Sequence, residues 1–197
     1  MSKFLPDRKG QHILDLATGT ADVLIKIFFT NPNVGSAYGI DLAEKMLEIG
    51  RKKIYIKNLE KQITLQAADA NNIPFGDQQF DAVTMAFGIR NIEVPSKAIR
   101  EMYRVLRRGG RTIILEFSLP ENATLRNLHL FYLRHIVPNI GGFFSGHREA
   151  YAYLNKTIES FPYGMEFCRL LEDVGFQNIK AHPLMGGIAT IYVGERI

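Results

Sequence analysis

The sequence predicts an α/β fold: a doubly wound, mostly parallel sheet of seven strands that ends in an antiparallel hairpin. Two observations carry this. Short apolar runs alternate with helical patterns along most of the chain, the rhythm of strand-helix-strand units in a parallel sheet. Near the C-terminus, two strand-like runs are joined by only Met185-Gly186-Gly187. A parallel crossover needs roughly a dozen residues or more, so that last pair must be antiparallel.

The elements follow in order. Ile13–Leu16 reads as the first strand, and Ala21–Phe29 as a helix stopped by Asn31-Pro32. Ser36–Ile40 is the second strand, followed by a helix over Ala43–Lys57 with Met46, Leu47 and Ile54 on one face. Ile63–Ala67 and Phe80–Ala86 are strands. Ser96–Leu106 is a helix stopped at Gly109-Gly110, and Arg111–Phe117 is the fifth strand. Met165–Val174 is the last helix, before strands Asn178–Pro183 and Ile188–Gly194. Leu125–Val137 is helical and aromatic-rich, and leads into a glycine-containing run that no parallel unit requires. The expectation is one domain over 1–197, with a substrate-pocket insertion around 122–162.

Composition bounds the function. The 197 residues are 46% hydrophobic and 22% charged, with net charge +4. No apolar run approaches the ~20 residues of a membrane-spanning helix, and there is no signal-peptide pattern. The single cysteine, Cys168, rules out an internal disulfide and reads as a core thiol in EFCRLLEDVGF. These features make the cytoplasm the expected compartment. No metal-ligand cluster and no basic stripe interleaved with aromatics are apparent, so neither a metal nor a nucleic acid partner is expected.

A doubly wound sheet binds its ligand at the carboxyl ends of its strands, where strand order reverses. In HILDLATGTADVLIK the turn Ala17-Thr18-Gly19-Thr20-Ala21 has one glycine, not the G-x-G-x-x-G of a dinucleotide site, and no Gly-Lys-Ser/Thr for a phosphate loop. Acids flank it instead, Asp15 and Asp22, and these suit a cationic ligand. S-adenosylmethionine carries an ammonium and a sulfonium. Asp41 closes the second strand, 22 residues beyond Gly19, where an acid accepts from ribose hydroxyls. Asp69-Ala70 follows the third strand, where a carboxylate accepts from an adenine amine. The competing reading is that these acids are helix caps and loop residues.

The runs LDLATGTAD, GIDLAEKMLEIGRKK, ADANNIPFGDQQFDAVTMAFGIRN and EMYRVLRRGGRTIILEFSLP resemble the ubiquinone/menaquinone biosynthesis C-methyltransferases, as do FYLRHIVPNIGG, EAYAYLNKTIESFP and LLEDVGFQNIKAHPLMGGIATIYVGE. FGIRN and EAYAYL are specific to that family. The resemblance implies a class I, Rossmann-like methyltransferase fold, S-adenosylmethionine as methyl donor with S-adenosylhomocysteine as product, and methylation of a ring carbon in a polyprenylated quinol, either demethylmenaquinol or the equivalent benzoquinol. Family cofactor contacts map onto Thr20, Asp41 and Asp69-Ala70, with Ala86 standing where some members have a serine. Together with the turn, the expected cofactor set is Asp15, Ala17, Gly19, Thr20, Asp22, Asp41, Leu42, Asp69, Ala70 and Ala86. The chain reaches its first strand without the several dozen preceding residues usual in the family.

Methyl transfer to an aromatic carbon requires a ring made electron-rich by full or partial loss of a neighbouring hydroxyl proton. Arg90 of FGIRN stays charged and is expected to stabilise the phenolate or orient a proton-accepting water. Asn91 would orient a quinol oxygen, and His135 is the histidine proposed as proton acceptor. Tyr132, Tyr151, Tyr153 and Phe161 are candidates to line the quinol pocket. The lipid tail of such a substrate makes peripheral contact of Leu128–Phe144 with the inner face of a membrane an expectation, against the alternative of an ordinary core helix. Dimers are common in the family, so a homodimer is expected. Two further readings stand: a methyltransferase for another small phenolic or lipid substrate, and a non-catalytic cofactor-binding subunit of a quinone-biosynthesis complex.

Overall fold

A computed structural model describes residues 1–136, 155 and 157–197. Seven strands, β1 (Gln11–Leu16), β2 (Val34–Asp41), β3 (Ile63–Ala67), β4 (Phe80–Ala86), β5 (Leu106–Phe117), β6 (Gln177–Leu184) and β7 (Ala189–Arg196), form one sheet in the order β3-β2-β1-β4-β5-β7-β6. β1 to β5 are mutually parallel, and β7 runs antiparallel to both β5 and β6. The hairpin expected from Met185-Gly186-Gly187 is present, its connection a single 3₁₀ turn.

The helices whose bounds lie within the described residues include α1 (Asp22–Thr30), α2 (Glu44–Ile56), α3 (Pro95–Val105), α4 (Ala123–Phe131) and α5 (Met165–Glu172). They cover both faces of the sheet, and the side-chain alternation of the strands explains how. Ile13, Ala37, Ala82 and Ile113 face Leu24 and Ile27 of α1 and Leu47 of α2. Leu14, Leu16, Val83 and Ile114 face Ile99 and Met102 of α3 and Phe167 and Leu171 of α5. Cys168 is buried in this second layer as a free thiol. α1 stops at Asn31, whose extended backbone is what a following proline requires. α3 starts with Pro95 in its first turn, where no N–H is needed. α4 is capped by Asn122, whose side-chain oxygen accepts from the Leu125 N–H at 3.0 Å. A π-helical turn, Tyr132–Ile136, continues it.

Three local expectations change. Gly109-Gly110 does not precede the fifth strand but lies inside it. β5 begins directly after α3, and its register with β4 shifts between Phe80 and Ala82, so Arg107 to Gly110 form an irregularity within the strand. The glycines permit this: Gly109 has φ +76°, and a Cβ on Gly110 would sit 2.8 Å from the Arg107 carbonyl oxygen and 3.0 Å from that of Asp81. The carbonyls of Tyr103, Arg104 and Leu106 that α3 leaves open accept from one Arg196 nitrogen, at 2.6, 2.9 and 2.8 Å. Met46 does not join Leu47 and Ile54 in the core; it is 41% exposed and lies beside Gly19.

The third change concerns Asp15. It is only 2% exposed, in the middle of the sheet, and accepts from the Thr84 hydroxyl of neighbouring β4 at 2.5 Å. Burial raises its carboxyl from 3.8 to about 6, against the opposing Thr84 hydrogen bond and with the charge of Asp41 adding to the rise.

Two predictions follow from this packing. Gly110→Ala forces a Cβ against backbone atoms that cannot rotate away, and is expected to cost about 1–3 kcal/mol in urea unfolding; an unchanged denaturation midpoint would contradict the contact. Asp15 behaves oppositely to an ion-paired carboxylate. Its folded pKa lies above its unfolded one, so ionisation costs stability above about pH 6, and the cost disappears as pH falls toward 4. Two pKa units correspond to roughly 3 kcal/mol. Asp15→Asn should therefore raise the unfolding free energy at pH 8 and raise it far less at pH 4. A gain independent of pH would show that the carboxyl is not strained.

Candidate active site

The strand order reverses between β1 and β4, and the cleft opens at that point. The turn after β1 is tightly coiled: Ala17, Gly19 and Ala21 have φ of +50°, +55° and +61°. Left-handed alanines carry a conformational cost that is retained mainly where a site needs it. The turn after β2 holds this one in place. Asp41 accepts from the Gly19 N–H at 2.8 Å with one carboxylate oxygen and from the Ala43 N–H at 2.9 Å with the other. The turn after β4 closes the floor, since a Cβ on Gly88 would lie 2.6 Å from the Cβ of Ala17.

The resulting cleft has a volume of about 470 Å³. Ala17, Asp41, Leu42, Asp69, Ala70 and Asn91 line it, so six residues of the sequence-based set converge. Asp69 also accepts from the Asn71 N–H at 2.8 Å, which shapes its own turn. The wall includes residues the sequence reading passed over: Asn71, Phe87, Gly88, Ile92 and Glu93. Each follows directly on a strand end already suspected, which was the available signal. Asn71 Oδ1 is buried and without a partner among the described residues. Three carboxylates, Asp41, Asp69 and Glu93, face this space, and among the described residues no lysine or arginine does.

That donor set fits S-adenosylmethionine. Asp41, Asp69 and Asn71 bring acceptor oxygens to the cleft, and Ala17, Leu42, Ala70, Phe87 and Ile92 bring apolar surface, the mix that a nucleoside bearing a cation requires. The acidic balance suits a cation and opposes a phosphate.

Other expected cofactor residues lie elsewhere. Thr20 donates to Asp22 at 2.6 Å, and Lys53 of α2 donates to Asp22 at 2.6 Å and to Thr20 at 2.9 Å. The cation beside Asp22 is thus supplied by the protein itself, and this hydrogen bond holds the Asp22 carboxyl below its usual value. Neither residue borders the cleft. Ala86 pairs with Leu115 inside the sheet, and its neighbour Phe87 reaches the cleft instead.

Arg90 and Asn91 lie on a 3₁₀ turn, Ile89–Asn91, just after β4. Arg90 is not a solvated loop arginine. Its side chain is 9% exposed and pairs with Glu116 of β5, itself 1% exposed, at 2.6 Å. The same Arg90 nitrogen donates to the Phe87 carbonyl at 2.7 Å, and the guanidinium lies over the Phe117 ring, 5.1 Å from its centroid. Burial pushes the Glu116 carboxyl above its ordinary range even though Arg90 opposes the rise. A second cleft, about 520 Å³, opens past the carboxyl end of β5 beside Ser118, Asn122, Tyr163, Gly187 and Thr190.

Of the remaining candidates, Phe161 packs on Phe167 in the core, with ring centroids 5.7 Å apart, and Tyr132 is 49% exposed on the π-helical turn. Tyr151, Tyr153 and the side chain of His135 lie outside the described residues.

Comparison with known proteins agrees with this geometry. The chain is 43% identical over 188 residues to the ubiquinone/menaquinone biosynthesis C-methyltransferase UbiE of Geotalea uraniireducens, covering 95% of this chain and 80% of that protein. It is 40% identical over 182 residues to the demethylmenaquinone methyltransferase of Porphyromonas gingivalis, covering 92% and 74%. A SAM-dependent methyltransferase from Aquifex aeolicus shares the fold at a TM-score of 0.67 and 19% identity, over 96% of this chain and 84% of that one. The ubiE/COQ5 methyltransferase family matches residues 1–196, and with relatives this similar over nearly the whole chain, the protein belongs to that family.

Proposed function

We propose that this protein transfers a methyl group from S-adenosylmethionine to a ring carbon of a polyprenylated quinol. The observation that carries the cofactor is the cleft at the strand-order switch, lined among the described residues by three carboxylates and no basic side chain. The quinol is supported by the family and by what its relatives methylate.

The cofactor supplies a methyl group on a sulfonium that leaves as a neutral thioether. The chain's own residues do the rest. Asp41 fixes two turns and presents acceptors to hydroxyls. Asn91, on the cleft wall beside Arg90, orients an oxygen of the acceptor ring. Arg90 stabilises negative charge on the ring oxygen as the hydroxyl proton moves off, so electron density rises at the neighbouring carbon. That carbon's electron pair forms the new bond to methyl, and its own proton leaves to water as the ring regains aromaticity. Leu128, 64% exposed on the helix that Asn122 of the second cleft caps, and Tyr132, 49% exposed on the turn that continues it, are suited to a lipid surface from which a tailed quinol would be drawn. Among the described residues, no helix is long and apolar enough to cross a membrane.

Purified protein with S-adenosylmethionine should methylate chemically reduced demethylnaphthoquinol, the benzoquinol precursor or both, read by mass spectrometry. Asp41→Ala should weaken cofactor binding about tenfold to a hundredfold, the range for hydrogen bonds to a charged group. Arg90→Lys keeps the charge but loses the planar fork, and should lower turnover roughly a hundredfold with cofactor affinity unchanged. No product from either quinol, with the cofactor bound, overturns this assignment. Flotation with anionic liposomes at low salt should carry the protein upward, and its absence removes the membrane contact.

A further inference from the structure

We infer that Glu116 is the positioning residue for Arg90, and that the two act in methyl transfer as a single buried unit; this rests on the function proposed above. Glu116 is not among the residues lining the cofactor cleft and interrupts the apolar run IILEF at the end of β5. Among the described ion pairs, Arg90–Glu116 is the one in which both side chains are under a tenth exposed. Stability does not account for such a pair, because well-packed apolar residues of similar size usually serve a fold as well or better.

The geometry accounts for it. The Glu116 carboxylate is itself held by backbone: the Phe117 N–H donates to one oxygen at 2.8 Å and the Arg90 N–H to the other at 3.3 Å. The oxygen that takes the Phe117 N–H also takes the guanidinium at 2.6 Å. The Phe87 carbonyl holds the same nitrogen, and the Phe87 and Phe117 rings, 4.6 Å apart, wall this end of the side chain. One end of the planar fork is thereby fixed. Nε is buried and has no partner among the described residues, so donor capacity remains for an oxygen not belonging to the protein. The pair also stands between the two clefts. Phe87 and Asn91 belong to the first, while Ser118 and Thr190, the sheet partner of Glu116, belong to the second. A group spanning both clefts would place an oxygen near this guanidinium.

Among the described residues, the titratable groups facing Glu116 are Arg90 from the turn after β4 and Tyr192 from β7. Protonating Glu116 releases Arg90 from its charged anchor. Burial lifts the Glu116 carboxyl, so the rate should fall on the acid side at a higher pH than an exposed carboxylate would give.

The test uses Glu116→Gln, Glu116→Asp, Arg90→Gln and the Arg90→Gln/Glu116→Gln double variant, with kcat, KM for the quinol, cofactor affinity, a pH-rate profile and thermal unfolding for each. Glu116→Gln should lower kcat by about a hundredfold, leave KM and cofactor affinity within about threefold, and abolish the acid limb. Glu116→Asp should retain the limb and more of the activity. The double variant, which buries no charge, should fold and be no slower than Arg90→Gln alone, the non-additivity of residues acting as a unit. The inference is overturned by a Glu116→Gln enzyme with wild-type kcat and an intact acid limb. It is equally overturned by a double variant whose loss is the product of the two single losses. Should Glu116→Gln not fold, an Glu116→Asp enzyme of unchanged kcat and pH profile overturns it. A wild-type protein that methylates neither quinol defeats the function itself, whereas an active wild type indifferent to Glu116 defeats only this inference.

Discussion

The parallel pairing of β1 with β2 on one side and β4 on the other is the constraint from which the site follows. Parallel strands place all their carboxyl ends on one edge, and helical crossovers must leave that edge through short turns. Because β3 lies beyond β2 while β5 lies beyond β4, the turns diverge there and leave a cleft. The cleft would be loose without the Asp41 carboxylate, which draws the first two turns together through Gly19 and Ala43. One side chain thus organises backbone contributed by two separate strand-helix units.

Buried acids in this molecule are compensated in three different ways. Asp81 is 2% exposed, and its burial is outweighed by the His12 N–H, Arg8 and Arg107, so its carboxyl lies below the usual value. That arrangement ties the chain before β1 to β4 and to the irregular start of β5. Asp15 has a threonine hydroxyl but no cation at hydrogen-bonding distance, and its carboxyl is raised. Glu116 has a cation and is raised nonetheless, because burial dominates. Asp15 and Glu116, the two incompletely compensated ones, both lie near the carboxyl ends of their strands.

Much of this was legible from residue order. Ile63–Ala67 and Phe80–Ala86 lie where the apolar runs place them, and the hairpin follows from a connection too short for any other geometry. Asp41 ends β2, and Asp69 and Ala70 follow β3 by two and three residues, so their place on the carboxyl edge could be read from the strand ends. What failed to read through depended on distant partners. Nothing near Thr20 and Asp22 in the chain foretells that Lys53, 31 residues beyond Asp22, donates to both. Gly109-Gly110 signals a stop in any local reading, yet pairing with β4 and β7 carries the strand through it. Met46 fits the apolar period of α2, but the helix turns it toward the first turn rather than the core.

The sequence by itself determined the strand-helix alternation, the antiparallel ending, and a set of acids and small residues at strand ends, together with family motifs covering nearly the whole chain. Those are consequences of periodicity, turn chemistry and spacing, each set within a few residues. Only the tertiary structure decided which acid meets which cation, which carboxyl is buried, and that Arg90 is anchored by Glu116 of the adjacent strand, 26 residues away. Such pairings arise from the lateral order of strands in the sheet. Lateral order is a property of the packed sheet, and no single stretch of the chain contains it.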